Sequence, residues 1–146
     1  MIHPNSEISE FDIIIIGATG DLSIRKIIPA LFKRYADGQI PEKSKIYCLA
    51  RQKLDNSSFT QKISQQNKSD YKNSKKQKEF FEKINYLCID IKSPDSKNLF
   101  SLQKKLTKDR ARLFYLATAP ELFRISAKFI RENNLANNKT RIIVEK

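Results

Sequence analysis

Apolar residues along the chain gather in five short runs, separated by longer mixed stretches. Phe11–Ile16 is the densest run. It is too short for a buried helix and, past Asp12, has no polar alternation, which is how a central strand of a parallel sheet covered on both faces reads. Lys45–Arg51, Asn85–Ile91, Arg112–Thr118 and Arg141–Glu145 read as four further strands. Between the strands the spacing turns helical. Leu22, Ile24, Ile27, Ile28, Leu31, Phe32 and Tyr35 recur at near-helical intervals, with Arg25, Lys26, Lys33 and Arg34 on another face. Pro29 lacks an N–H and crowds the preceding turn, so this helix is expected as a short first turn and a second stretch starting near Pro29, stopped by Asp37-Gly38. Leu99–Leu106 reads as a short amphipathic helix, and Pro120–Leu135 as another with Leu122, Ile125, Phe129 and Ile130 on its apolar side. Gln52–Lys83 differs: Lys, Gln, Asn and Ser dominate, and only Phe59 and Ile63 mark a helical turn. It is expected as a polar insertion of solvated helix or loop.

Strands alternating with helical stretches specify an α/β fold, an open parallel sheet with right-handed crossovers and helices on both faces. The length of 146 residues suits one domain with one core. Residues 1–10 are expected as a flexible tail and residues 11–146 as the domain. Lys and Arg total 28 against 16 Asp and Glu, a net charge of +12, which points to a polyanionic or phosphate-bearing partner. The basic residues form no aromatic-interleaved face or recognition motif, so nucleic acid is not the expected partner. No apolar run reaches the ~18 residues of a membrane span, and the polar N-terminus has no secretion leader, so the expectation is a cytoplasmic protein without a membrane partner.

Cys48 and Cys88 both lie in strand-like runs and are expected as buried free thiols in a reducing compartment. A single histidine, His3, leaves no material for a zinc site or a Ser/His/Asp or Cys/His set. Tyr71 and Lys75 have the Tyr-x-x-x-Lys spacing by which short-chain reductases lower a tyrosine pKa. No apolar face holds that stretch rigid, and the expected reading is a solvated coincidence.

The strongest chemical signal is Gly17-x-x-Gly20-x-x-Ser23, directly after the first strand and before the first helix. Glycines in such a turn let backbone N–H groups approach an anion, and the helix start adds partial positive charge, so a phosphate or pyrophosphate fits there. The spacing departs from G-x-G-x-x-G: the second glycine comes one residue later, and Ser23 stands where a third would allow close packing. Glycine-rich turns of this kind also serve merely to reverse the chain. The second strand ends in Arg51, with Lys53 nearby. An arginine there suits the extra 2′-phosphate of NADP, whereas NAD usually meets a carboxylate on its ribose hydroxyls. Asp37 lies at the more usual distance from Gly17 but sits in a helix-ending turn. At the ends of the third and fourth strands, Asp90-Ile91 and the small residues Ala117 to Ala119 would border a ligand crevice.

The run Gly17-Ala18-Thr19-Gly20-Asp21-Leu22-Ser23-Ile24-Arg25-Lys26-Ile27-Ile28-Pro29-Ala30-Leu31-Phe32 closely resembles the N-terminal coenzyme segment of the glucose-6-phosphate dehydrogenase family. The likeness continues through Ala50-Arg51, Tyr115 to Pro120 with Phe123, and Arg141 to Lys146. It implies a Rossmann-like domain that binds NADP, with NAD as the alternative. By that resemblance Gly17, Ala18, Thr19, Gly20, Asp21, Leu22 and Ser23 wrap the pyrophosphate, and Arg51 meets the 2′-phosphate. Asp90, Ile91 and Ala117 would border the coenzyme, and Lys146 would reach both coenzyme and sugar phosphate. The family's reaction is hydride transfer from C1 of glucose 6-phosphate to NADP, the first step of the oxidative pentose phosphate pathway.

The family's sequences continue past the position of Lys146 with a proline and, later, an Arg-Ile-Asp-His-Tyr-Leu-Gly-Lys segment whose histidine is the general base. Without a base and donors for the sugar phosphate, the chain alone is expected not to oxidise glucose 6-phosphate. That substrate would bind only if another segment completed the site. The fifth strand is expected at an open edge of a sheet truncated after it, prone to associate. A non-catalytic NADP-binding or regulatory module is the alternative reading.

Overall fold

The structure is a computed structural model describing residues 9–66, 71, 74–106 and 109–145, so His3 and Lys146 lie outside the described residues. Five strands form one parallel sheet in the order β3-β2-β1-β4-β5: β1 (Phe11–Ile16), β2 (Ile46–Ala50), β3 (Ile84–Cys88), β4 (Ala111–Leu116) and β5 (Thr140–Val144). Each strand matches one of the apolar runs, with β3 ending at Cys88 rather than Ile91. The order runs outward from β1 to β3, then returns across the sheet to β4 on the other side of β1. That reversal puts a topological switch point between β1 and β4.

Register fixes what the two faces and the two ends of the sheet carry. Ile13, Ile15, Ile46, Cys48, Ile84 and Tyr86 point to one face, under α1 (Ile28–Ala36), α2 (Asn56–Gln66) and α3 (Ser74–Glu82). Ile14, Ile16, Tyr47, Leu49, Phe114 and Leu116 point to the other, under α4 (Ser96–Lys105) and α5 (Phe123–Glu132). Both faces of β1 are therefore buried, and each of its isoleucines contributes roughly 1.5–3 kcal/mol relative to exposure. Ile16 pairs with both Leu49 and Leu116, and Leu49 pairs with Leu87. The central strands thus finish level, and the turns that follow emerge along one edge of the sheet.

The interruption expected at Pro29 takes the form of a widened turn within a continuous helix, since residues 21–36 all stay helical. Ser23–Ile27 forms a widened π-helical turn in which the Ile28 N–H donates to the Ser23 carbonyl, and α1 follows with Pro29 in its first turn. A proline there interrupts no helical hydrogen bond. The fourth helix begins earlier than the apolar spacing indicates, because the Asp95 carboxylate accepts the N–H groups of Lys97 at 3.4 Å and Asn98 at 3.1 Å and so caps it. The last helix opens as a 3₁₀ turn, Pro120–Leu122, before α5.

Segment 52–83 is less solvated than its composition indicates. It carries α2 and α3 on the crossover from β2 to β3, and Phe59, Ile63, Tyr71 and Phe80 are all buried in the core. Tyr71 is not a solvated side chain: its ring lies 5.1 Å from that of Phe32 and 5.4 Å from that of Phe81. Cys48 is buried and Cys88 half-buried at a strand end, both free.

The buried charges lie at the amino end of the sheet and are occupied there. Lys83 donates to the carbonyls of Pro41, Glu42 and Ser44; Arg112 donates to those of Leu106 and Leu135. Arg110 pairs with Asp12 and Glu10, each at 3.1 Å. Among the described residues, no helix is long and apolar enough to cross a membrane.

Candidate functional site

At the opposite, carboxyl end of the sheet the chain leaves β1 through Gly17, whose φ of +87° is a left-handed conformation that favours glycine. A Cβ there would stand 2.9 Å from the Ala117 carbonyl oxygen and 3.0 Å from Thr118 Cγ2, so β4 approaches this turn closely. The Gly17 and Ala18 amides both donate to the Leu49 carbonyl at 3.0 Å, and the Gly20 amide donates to the Gly17 carbonyl at 3.2 Å. These three amides shape the turn. The Thr19 amide has no acceptor among the described residues, and Leu22, at the helix N-cap, makes no side-chain capping bond. The Thr19 amide and the first turn of the helix are therefore the donors open to an anion.

Ser23 is fully buried, as packing at a third-glycine position requires, and its hydroxyl has no hydrogen-bond partner among the described residues. Asp21 is exposed and pairs with Arg25 at 3.6 Å, which offsets its negative charge beside the turn.

A cleft of about 290 Å³ opens between this turn and the ends of β2, β3 and β4. It gathers the sequence-predicted residues Gly17, Thr19, Gly20, Arg51, Asp90, Ile91 and Ala117. Ala18, Asp21, Leu22 and Ser23 shape the turn and helix start behind it without lining it, and Lys146 lies outside the described residues. Arg51 is exposed, and its carbonyl accepts Cys88 Sγ at 3.3 Å, tying the end of β2 to that of β3. The Ile89 amide donates to the Ala50 carbonyl at 2.9 Å and continues that tie beyond the last strand pair. Asp90 folds the next turn: its Oδ1 accepts the Lys92 amide at 3.0 Å and its carbonyl accepts the Ser93 amide at 3.1 Å.

Thr118, inside the stretch Ala117 to Ala119 expected at the crevice, lines the cleft as well, and so does Lys92, which sequence reasoning missed. The lysine follows the predicted pair Asp90-Ile91 directly, so a strand-end cation beside Arg51 was the signal available. A dinucleotide phosphate fits the donors on view: a cradle that a Cβ at Gly17 would fill, an unbonded amide at Thr19, a helix start, and cations at the ends of neighbouring strands. A larger groove of about 480 Å³ lies elsewhere, between α1 and the outer strands, floored by Phe11, Leu31, Leu113, Tyr115 and Ile143. It is an uncovered stretch of apolar sheet away from the switch point and has none of these donors.

Comparison with known proteins identifies the family. The family described as glucose-6-phosphate dehydrogenase, NAD binding domain, matches residues 14–146. The glucose-6-phosphate 1-dehydrogenase of Helicobacter pylori (strain ATCC 700392 / 26695) is 32% identical over 137 residues, covering 94% of this chain and 31% of that protein. The enzyme of the same name from Rhizobium meliloti (strain 1021) is 33% identical over 143 residues, covering 95% of this chain and 29% of the relative. A solved structure of glucose-6-phosphate dehydrogenase in complex with its substrate glucose-6-phosphate superposes with a TM-score of 0.77 at 30% identity, over 95% of this chain and 30% of that one. The fold alone is shared with glucose-6-phosphate 1-dehydrogenase from Mycobacterium avium, with a TM-score of 0.81 at 21% identity over 94% of this chain and 29% of that one. The chain thus spans less than a third of the length of these relatives. A parallel sheet with its cleft at the switch point, and a family match running from within β1 to the last residue, lead to one conclusion: the chain belongs to the family of glucose-6-phosphate dehydrogenase NAD-binding domains.

Proposed function

We propose that residues 11–146 form the coenzyme-binding domain of a cytosolic glucose-6-phosphate dehydrogenase and that its coenzyme is NADP. Bound there, NADP would supply the acceptor for a hydride from C1 of glucose 6-phosphate, the opening step of the oxidative pentose phosphate pathway. The chain's own part is to seat the diphosphate on the Thr19 amide and the helix start, to hold the adenosine between the ends of β2 and β3, and to present Arg51 to a 2′-phosphate. The observation that carries this reading is the exposed Arg51 guanidinium in the same cleft as the glycine turn, with no carboxylate within ion-pair distance among the described residues. Free thiols at Cys48 and Cys88 support a reducing compartment.

The relatives are more than three times as long as the part of them this chain matches, so oxidation of the sugar phosphate is assigned to the longer protein. The chain by itself is expected to bind coenzyme without turnover. Calorimetric titration with NADP and NAD tests this. Saturable NADP binding is expected, and Arg51→Gln is expected to weaken NADP by about tenfold or more while changing NAD little. Absence of any saturable signal with either coenzyme would reduce the assignment to family membership. Turnover of glucose 6-phosphate by this chain, purified from a host lacking its own enzyme, would overturn the division of labour.

A further inference from the structure

Two cations, not one, line the cleft, and the same wall carries a single carboxylate. Arg51 leaves the end of β2, while Asp90 and Lys92 share the turn after β3. The Asp90 carboxylate is held in place by accepting the Lys92 amide at 3.0 Å, and the Ser93 amide closes the same turn on the Asp90 carbonyl at 3.1 Å. Those two bonds fix the backbone of Lys92 at the cleft wall. Its side chain is exposed, and its ammonium has no carboxylate within ion-pair distance among the described residues.

The charge balance shows what a second cation does there. Arg51 and Asp90 cancel, leaving a wall of zero net charge, and Lys92 raises it to +1. A ribose with free hydroxyls does not need that charge. A ribose 2′-phosphate, at about −1.5 to −2 near neutral pH, would share this wall with the Asp90 carboxylate and be repelled by it unless something more than Arg51 offset that charge. Position separates this task from diphosphate binding. β3 stands two strands from β1 in the sheet order, about 10 Å away at ~4.8 Å per strand, while the glycine turn lies at β1. Lys92 is thus on the adenosine side of the cleft.

We propose that Lys92 is a second coenzyme-specificity residue: with Arg51 it clamps the 2′-phosphate from the β3 side, and it outweighs Asp90, so that the cleft selects the phosphorylated adenosine. This inference rests on the coenzyme reading above and deepens it.

Calorimetric titration of the chain, its Lys92→Gln and its Lys92→Arg variants with NADP, NAD, adenosine 2′,5′-bisphosphate and AMP tests the assignment. Lys92→Gln is expected to weaken NADP and the bisphosphate by about tenfold, the size of one charge-assisted contact, and to change NAD and AMP by less than about twofold. Lys92→Arg is expected to keep most of the preference, and both variants should melt like the parent because the side chain is exposed. Equal weakening of NADP and NAD would overturn the proposal by assigning the ammonium to the diphosphate, as would unchanged affinity for all four ligands. Failure of the parent chain to bind any of them would overturn the coenzyme reading and this proposal together. Parent binding with an indifferent Lys92→Gln overturns only the latter.

Discussion

Gly17 and Gly20 are equivalent letters in the sequence motif and different objects in the structure. Gly17 has a left-handed φ of +87° and a site where a Cβ would meet the Ala117 carbonyl oxygen at 2.9 Å. Gly20 lies outside that conformational region, and its Cβ would find the Gly17 carbonyl oxygen at 3.4 Å, an ordinary contact. Gly17→Ala is therefore expected to lower stability by ~1–3 kcal/mol, read from urea unfolding. Gly20→Ala is expected to leave the midpoint nearly unchanged yet weaken coenzyme, because its methyl group would stand on the cleft wall. Equal losses of stability in the two variants would contradict this division. The turn and Arg51 were legible in the sequence because each is a local signal, a glycine after a strand and a cation at a strand end. Lys92 was not, because its meaning depends on β3 lying beside β2 with Leu87 level with Leu49, a relation that no stretch of sequence contains.

At the scale of elements, β2 and β3 hold three acids whose charged forms the core excludes. Burial, aided by the Asp12 charge, pushes Tyr47 up to about 12, and burial pushes Tyr86 up to about 12. Burial also pushes the Cys48 thiol up. Each loses its proton more readily in the unfolded chain, so above the ordinary thiol and phenol values the unfolded state binds fewer protons and stability falls as pH rises. Lys83 and Arg112, pushed down by burial, act in the opposite sense below their ordinary values of 10.5 and 12.5, while Tyr35 and Tyr115, also pushed up by burial, add to the fall. Urea midpoints are expected to fall above about pH 9 and more steeply between about pH 10 and 12. Tyr47→Phe should remove part of that fall, and an identical alkaline decline in this variant would exclude Tyr47 as a cause.

The same strands show how far periodicity reaches. Continuous apolar runs located all five strands, and Pro29 located the irregular turn that precedes α1. Helices α2 and α3 escaped a reading of their burial because their core residues are few and spread through polar sequence. Phe59, Ile63, Tyr71 and Phe80 leave no sustained stripe, yet each is buried against the sheet or α1.

For the whole molecule, two forces oppose each other at the outer edge of the sheet. β5 is one of the two edge strands, and Ile142, Ile143 and Val144 are 48%, 37% and 47% exposed, next to the groove floored by Leu113 and Tyr115. An edge with that much apolar surface, charged only at Arg141 near its start and at Glu145 just beyond its end, is a template for pairing with a second copy through backbone hydrogen bonds. The net charge of +12 works against such contact by repelling copies from one another. Repulsion between exposed charges is screened by salt, with a Debye length of about 10 Å at 0.1 M falling to about 3 Å at 1 M, whereas burial of apolar surface is not weakened by it. Association of the chain is therefore expected to increase with ionic strength, the reverse of what a contact built on ion pairs would do. Light scattering across a salt and concentration series should show mainly monomer at low salt and rising mass at high salt. Ile143→Lys should suppress the rise by placing a charge in the apolar part of the edge and on the groove floor. A sharp monomer at every salt concentration, with cooperative melting, would mean that the exposed strand does not recruit a neighbour.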